Sequence, residues 1–159
     1  MKHVTLLLCV AMVGICAAVD GAQATNFAGV WTIDWTKTDA ANAALGGPGE
    51  PHEGNGTITL TVTQDAKTLT VKEGIHAPRT YNLDGSESTF VVPGTDGQKT
   101  QVANASWDGA RLKIVIPRPS GTTTNVWTLE HGDLQITTTG PTVKGVKPGS
   151  TALVFKKSS

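Results

Sequence analysis

Arg79 and Tyr81 stand one residue apart in the stretch Arg79-Thr80-Tyr81-Asn82-Leu83, and in an extended chain alternate side chains share a face. If Leu83 points into a core, the guanidinium and the phenol point there too, and together they suit an anionic head group. The competing placement leaves Arg79, directly after Pro78, in solvent at a rim, with Tyr81 an ordinary core residue. Arg118 is in phase with Leu112, Ile114 and Ile116, but Pro117 and Pro119 flank it, and they predict a strand that ends there and an exposed loop arginine. Trp107 and Trp127 offer rings on which a flat or sugar-like ligand could stack, although core packing is the better account of them. The expected ligand-binding set is Arg79, Tyr81, Phe90, Ile114 and Trp127.

Other chemistries lack their residues. His52, His76 and His131 form neither a His-x-His nor an H-E-x-x-H pair, so no metal site is expected. No G-x-S-x-G elbow occurs, and Asp84, Asp108 and Glu130 fall at turns, where a solvated anion is ordinary. Both cysteines, Cys9 and Cys16, lie in the apolar N-terminal stretch. No catalytic residue, cofactor or disulfide is expected downstream of it.

That stretch begins Met1-Lys2-His3, runs through apolar residues from Val4 to Val19 and reaches Ala22-Gln23-Ala24, a small-x-small site of the kind signal peptidase cuts. It reads as a Sec-type export signal cleaved after Ala24, which predicts a secreted or periplasmic protein. A retained anchor fits less well, because the run falls short of the roughly 20 residues that cross a bilayer. No membrane span is expected after processing. Residues 25–159 are one domain's worth of chain and enough for a self-sufficient core. Acidic and basic residues balance at 13 each, and the signal removes one of each, Lys2 and Asp20. That neutrality argues against nucleic acid as a partner.

The elements that must position these side chains are announced by turn dipeptides: Asp84-Gly85, Asp96-Gly97, Asp108-Gly109, Ser120-Gly121 and His131-Gly132. They recur about every 12 residues, the spacing of a β-meander. Between them the alternation has period two, as in Thr57-Ile58-Thr59-Leu60-Thr61-Val62-Thr63, giving one buried and one wet face. The same alternation at Leu69/Val71, Tyr81/Leu83, Phe90/Val92, Leu112/Ile114/Ile116, Leu134/Ile136 and Leu153/Phe155 completes an all-β pattern. The exception is Trp35 to Gly56, where Thr38 or Asp39 caps a helix of about two turns that stops at Gly46-Gly47; the Gly- and Pro-rich residues beyond it read as loop. An antiparallel meander of this length removes its edges by pairing the last strand with the first. The expectation is an up-and-down barrel of about eight to ten strands with a short helical segment between the first two. A two-sheet sandwich is the runner-up, and the short consecutive turns argue against it.

Gly29-Val30-Trp31 on the first strand, the helical lid and the meander together resemble the calycins, lipocalins and fatty-acid-binding proteins. "FAGVWTID…ALGG" looks especially like the start of a fatty-acid-binding protein. The chain also resembles exported bacterial proteins beginning F-x-G-x-W-x-x-D. The resemblance implies that Trp31 plugs one end of the barrel, with Gly29 beside it and a lysine of the last strand, Lys156 or Lys157, over the indole; Lys156 is the expected member. It departs at Thr151-Ala152-Leu153-Val154-Phe155, which lacks the Arg-x-Tyr pair by which many fatty-acid-binding proteins hold a carboxylate. The implied function is a monomeric carrier of a small apolar or amphipathic molecule, without chemical turnover. The alternative is a protein-interaction module, such as a barrel-type protease inhibitor or envelope accessory protein, working through the loop at Gly46 to Gly56.

Overall fold

The computed structural model describes residues 24–47, 56–94, 97–141 and 149–158. In chain order the elements are β1 (Gly29–Ile33), α1 (Trp35–Ala44), β2 (Thr59–Gln64), β3 (Thr68–Glu73), β4 (Arg79–Asn82), β5 (Glu87–Gly94), β6 (Gly97–Asp108), β7 (Arg111–Arg118), β8 (Gly121–Glu130), β9 (Asp133–Thr139) and β10 (Ser150–Lys157). The expected all-β meander is present, with ten antiparallel strands among the described residues.

The sheet runs β4-β3-β2-β1-β10-β9-β8-β7-β6-β5. The last strand pairs with the first, Trp31 opposite Lys157 and Ile33 opposite Phe155, so the two sheet edges are β4 and β5, neighbours in sequence. Side chains stitch these edges where no ladder joins them. Asn82 donates its backbone N–H to Ser88 Oγ at 2.7 Å and its Nδ2 to the Glu87 carbonyl at 3.0 Å. The barrel is thereby nearly closed, which removes the exposed edges that invite strand pairing between molecules.

Hairpin turns explain why the strands reverse where they do. His131 and Gly132 have φ of 53° and 87°, the paired positive values a two-residue hairpin needs to match strand twist. Leu60, Val62, Leu69, Val71, Tyr81, Leu83, Phe90, Ala103, Ala105, Leu112, Ile114, Ile116, Trp127, Leu134, Ile136 and Phe155 are buried in one core cluster. These are the phases that the alternation assigns to the inner face.

The helix departs from expectation in both length and cap. It runs ten residues, Trp35–Ala44, and its N-cap is Asp34, whose side chain accepts from Lys37 N at 3.1 Å. The chain leaves the sheet at Asp34, and Trp35 opens the helix. Thr38, expected as a cap, is mid-helix and fully buried. Its Oγ1 accepts from Val154 N at 2.9 Å, and Asn42 exchanges two hydrogen bonds with the backbone of Ala152 at 2.7 and 3.0 Å. Helix side chains thus satisfy the edge of β10 beyond the point where β1 stops pairing with it, and α1 is held to the barrel by backbone groups that would otherwise lack partners.

Candidate functional site

One end of the barrel is filled. Phe27 stacks parallel to Trp107 with ring centroids 6.0 Å apart and meets Trp127 edge-on at 5.7 Å. The segment that carries Phe27 is tied down by Gln64, which accepts from Phe27 N and donates to the Thr25 carbonyl, both at 2.9 Å. Trp31, 2% exposed, donates its indole N–H to the Phe27 carbonyl at 2.9 Å. Lys157 carries the cation over Trp31, with Nζ 5.5 Å from the ring. This corrects the expectation for Lys156. Trp31 pairs with Lys157 and Thr32 with Lys156, and residues opposite one another share a face, so Lys156 points away from the indole. Gly29 is required here: it has φ of +150°, and a Cβ on it would lie 2.9 Å from Lys157 Cε.

Above this floor, between the layer of Trp127 and the opposite mouth, lies a cavity of about 160 Å³. Its apolar wall includes Leu60, Val71, Ile114, Ile136 and Phe155, and its polar members are Glu73, Arg79, Tyr81, Asn125 and Thr138. Four of the five expected ligand-binding residues meet here: Arg79, Tyr81, Ile114 and Trp127. Phe90 does not. It is a buried core residue lying edge-on to Tyr81, centroids 5.4 Å apart, so it braces the phenol from behind and is not part of the cavity wall.

Arg79 faces inward, and it is already engaged. Its Nη2 donates to Glu73 Oε2 at 3.1 Å, with both side chains roughly one-third exposed (32% and 39%). Such a half-wet pair contributes about 0–1 kcal/mol to stability, so the guanidinium can exchange one carboxylate for another at little cost. Burial pushes the Tyr81 phenol above its ordinary range, and the nearby Arg79 cation draws it partly back. Tyr81 is therefore a neutral hydroxyl at physiological pH.

Glu73 and Arg79 also border an outer recess of about 260 Å³ at the mouth, together with His76, Val92, Gln101 and Arg118. The β7 strand continues through Pro117, opposite Thr122, and ends at Arg118. The strand ends where the flanking prolines predict and Arg118 is exposed as expected, but as the last residue of the strand and not in a loop, and its inward phase brings it to the mouth, where the Gln101 side-chain oxygen accepts from it. The mouth thus carries two arginines and one carboxylate. Sequence reasoning did not single out Glu73, Asn125 or Thr138. Each continues the inward phase of a recognised apolar run: Glu73 follows Leu69 and Val71, Asn125 precedes Trp127, and Thr138 follows Leu134 and Ile136. Extending the period by one polar residue finds all three.

Among the histidines, His76 borders the mouth and His131 occupies a hairpin turn, while His52 lies outside the described residues. Among the described residues there is no group of three or more His, Cys, Asp or Glu side chains arranged to hold a metal ion, and no helix is long and apolar enough to cross a membrane.

The chain has a ten-stranded antiparallel barrel with a helix between its first two strands, a gap between β4 and β5 and a cavity opening toward the mouth, a fold it shares with solved calycin-type barrels. Solved structures of this architecture align along nearly their whole length. A secretary abundant heat soluble protein from Ramazzottius varieornatus is 18% identical, with a TM-score of 0.57 over 87% of this chain and 99% of that one. The wild-type fluorescent protein UnaG is 24% identical, with a TM-score of 0.55 over 83% and 97%. Fatty-acid-binding protein 1 of Echinococcus granulosus is 13% identical, with a TM-score of 0.51 over 84% and 98%. At these identities the likeness is one of fold. No protein-family profile and no curated protein sequence matches the chain.

Proposed function

We propose that this protein is an exported carrier that binds one small apolar or amphipathic molecule inside its barrel and releases it unchanged. The observation that carries this reading is the adjacency of two spaces: an apolar-walled cavity and a charged mouth share Glu73 and Arg79 as lining residues. An amphipathic ligand would place its apolar part against Leu60, Val71, Ile114 and Phe155, where each Å² removed from water contributes about 25 cal/mol. Its polar end would meet Arg79 and Tyr81, with Arg118 farther out. A few polar groups at one end of an apolar pocket fix orientation without doing chemistry.

Two further observations support the reading. Solved structures with this fold include proteins described as fatty-acid-binding and as a fatty acid transporter. Export rests on the apolar N-terminal run and the Ala22-Gln23-Ala24 site. Thr25, the first residue after that site, is already engaged in the fold, its Oγ1 donating to the Ala110 carbonyl at 2.6 Å, so a domain starting there keeps its floor intact. A monomer suffices, because the cavity is bounded by residues of one chain.

Native mass spectrometry of the purified protein before any delipidation tests the proposal. A co-purified small molecule, or saturable binding of a hydrophobic dye, is the expected result. Folded protein that shows neither would refute carriage and favour a function borne by the loops.

A further inference from the structure

The tryptophans of the barrel differ in what they face. Trp31 and Trp127 are 2% and 4% exposed. Trp107 is only partly buried: it stacks on Phe27 at the floor, and it also borders an outer recess of about 570 Å³. Among the described residues, Trp127 Nε1 is the only side-chain nitrogen or oxygen both sealed from solvent and without a hydrogen bond. Trp107 Nε1, which has no acceptor among those residues either, is therefore reached by solvent.

The recess is built from the turn between β2 and β3, the turn between β4 and β5, and Trp107 near the end of β6. It lies at the opposite end of the barrel from the mouth, which is bordered by His76 of the β3–β4 connection. Its polar groups are of both kinds. Lys67 donates, and the Thr68 and Ser86 hydroxyls can do either. Ser86 donates its hydroxyl and its N–H to Asp84 Oδ1 at 2.6 and 2.9 Å, which holds the Asp84 carboxyl below the usual carboxylate range and leaves Oδ2 to accept. Asn82 Nδ2 is spent on the Glu87 carbonyl at 3.0 Å, so its Oδ1 is the atom offered to the recess side.

Charge and shape restrict what suits this arrangement. The one cation, Lys67, and the one anion, Asp84, balance, so neither sign of ligand is favoured. An indole beside matched donors and acceptors fits a molecule with apolar faces and a hydroxylated edge, since each hydroxyl both donates and accepts.

We propose that this recess is a second binding site, separate from the cavity, for a neutral pyranose sugar whose C–H face rests on Trp107 and whose hydroxyls meet Lys67, Asn82 and Asp84. A glycan held there leaves the mouth at the far end free to exchange its own ligand.

The probes are the methyl glycosides of glucose, galactose, mannose and N-acetylglucosamine, followed by calorimetry and by the Trp107 indole N–H resonance of the folded wild-type protein. At least one glycoside is expected to bind saturably and to move that resonance. Sorbitol, which has the hydroxyls without the ring, should do neither, and glucuronate should bind no better than the neutral sugars. Trp107→Ala should weaken the sugar about tenfold, the scale of one aromatic contact, and Lys67→Met, at an exposed turn position, should weaken it without altering the fold. The glycoside should not displace a hydrophobic dye from the cavity. Failure of all four glycosides to bind more tightly than about 10 mM, an unmoved indole resonance, equal binding of sorbitol, preference for glucuronate or displacement of the dye would each overturn the inference. Because the two sites are at opposite ends, dye binding without sugar binding spares carriage, and sugar binding without dye binding refutes carriage alone.

Discussion

Lys157 lies directly across the β1–β10 ladder from Trp31, its ammonium 5.5 Å from the indole centroid, and its stem occupies the space that a side chain on Gly29 would need. Glycine, tryptophan and lysine are therefore one structural unit closing the barrel floor, assembled from the two ends of the chain. Trp31→Ala should cost about 3–5 kcal/mol, the range for deleting a large buried aromatic. Gly29→Ala should cost about 1–3 kcal/mol from its positive φ. Lys157→Ala should lower the melting temperature slightly and Lys156→Ala should not. Thermal unfolding followed by near-ultraviolet circular dichroism separates the four variants, and equal effects at the two lysines would contradict the pairing.

Thr38 and Asn42 act as a substitute strand edge for β10. Thr38→Val keeps the side-chain shape and strands the buried Val154 N–H, so a loss of about 1–3 kcal/mol is expected in urea unfolding. Hydrogen exchange at Val154 and Ala152 should accelerate in Thr38→Val and Asn42→Ala. If both amides keep wild-type protection, the helix is not what secures them.

Arg79 holds Glu73 at 3.1 Å while facing the cavity, so an anionic ligand competes with Glu73 for one guanidinium. Arg79→Ala should weaken an anionic amphiphile by at least about 1 kcal/mol. Glu73→Gln should strengthen it, because the cation is released from its carboxylate partner. A neutral probe of the same shape should respond to neither change. Titration calorimetry with the charged and neutral probes distinguishes this from a general loss of shape.

Tyr81 is the chain's one tyrosine, so phenolate absorbance reports on it alone. Burial raises its pKa in the folded state. Between the unfolded and folded values the native state binds more protons than the unfolded chain, so stability is present below the ordinary phenol range and is lost as pH rises through the folded pKa. A titration midpoint above that of free tyrosine is expected, moving back to the ordinary value in denaturant. An unshifted midpoint in the folded protein would place the phenol in water.

The expected helix and the observed one show where local signals run out. Thr38 and Asp39 have the chemistry of N-caps, and the alanines after them favour helix, so a short helix was legible. Its start was not, because Asp34 competes for the same role. The winner depends on where β1 stops pairing with β10, a contact between residues more than a hundred positions apart. Arg118 is similar. Proline on both sides predicts termination, and the strand does end at Arg118, but Pro117 keeps its place opposite Thr122 because hairpin pairing with β8 carries the ladder up to the turn.

The candidate site was legible to the extent that it follows phase. Arg79, Tyr81, Ile114 and Trp127 line the cavity because each is in register with apolar neighbours on its own strand, and pleating makes that a local property. Phe90 obeys the same rule and still lies outside the cavity wall, since phase assigns a face and not a depth. Glu73, Asn125 and Thr138 share the phase but are polar, and a search for alternating apolar residues stops one step short of them.

What the sequence determined by itself is whatever one strand or one turn can specify. Glycines that tolerate positive φ set where the chain reverses, and period two sets which side chains face inward. Tertiary structure alone decided that Lys157 and not Lys156 covers Trp31, because a register shift of a single residue exchanges the faces of a strand. It also decided that Glu73 claims Arg79 and that about 160 Å³ is left open. A cavity is the small difference between the volume a closed barrel encloses and the volume its side chains fill, and that difference exists only once distant strands have met.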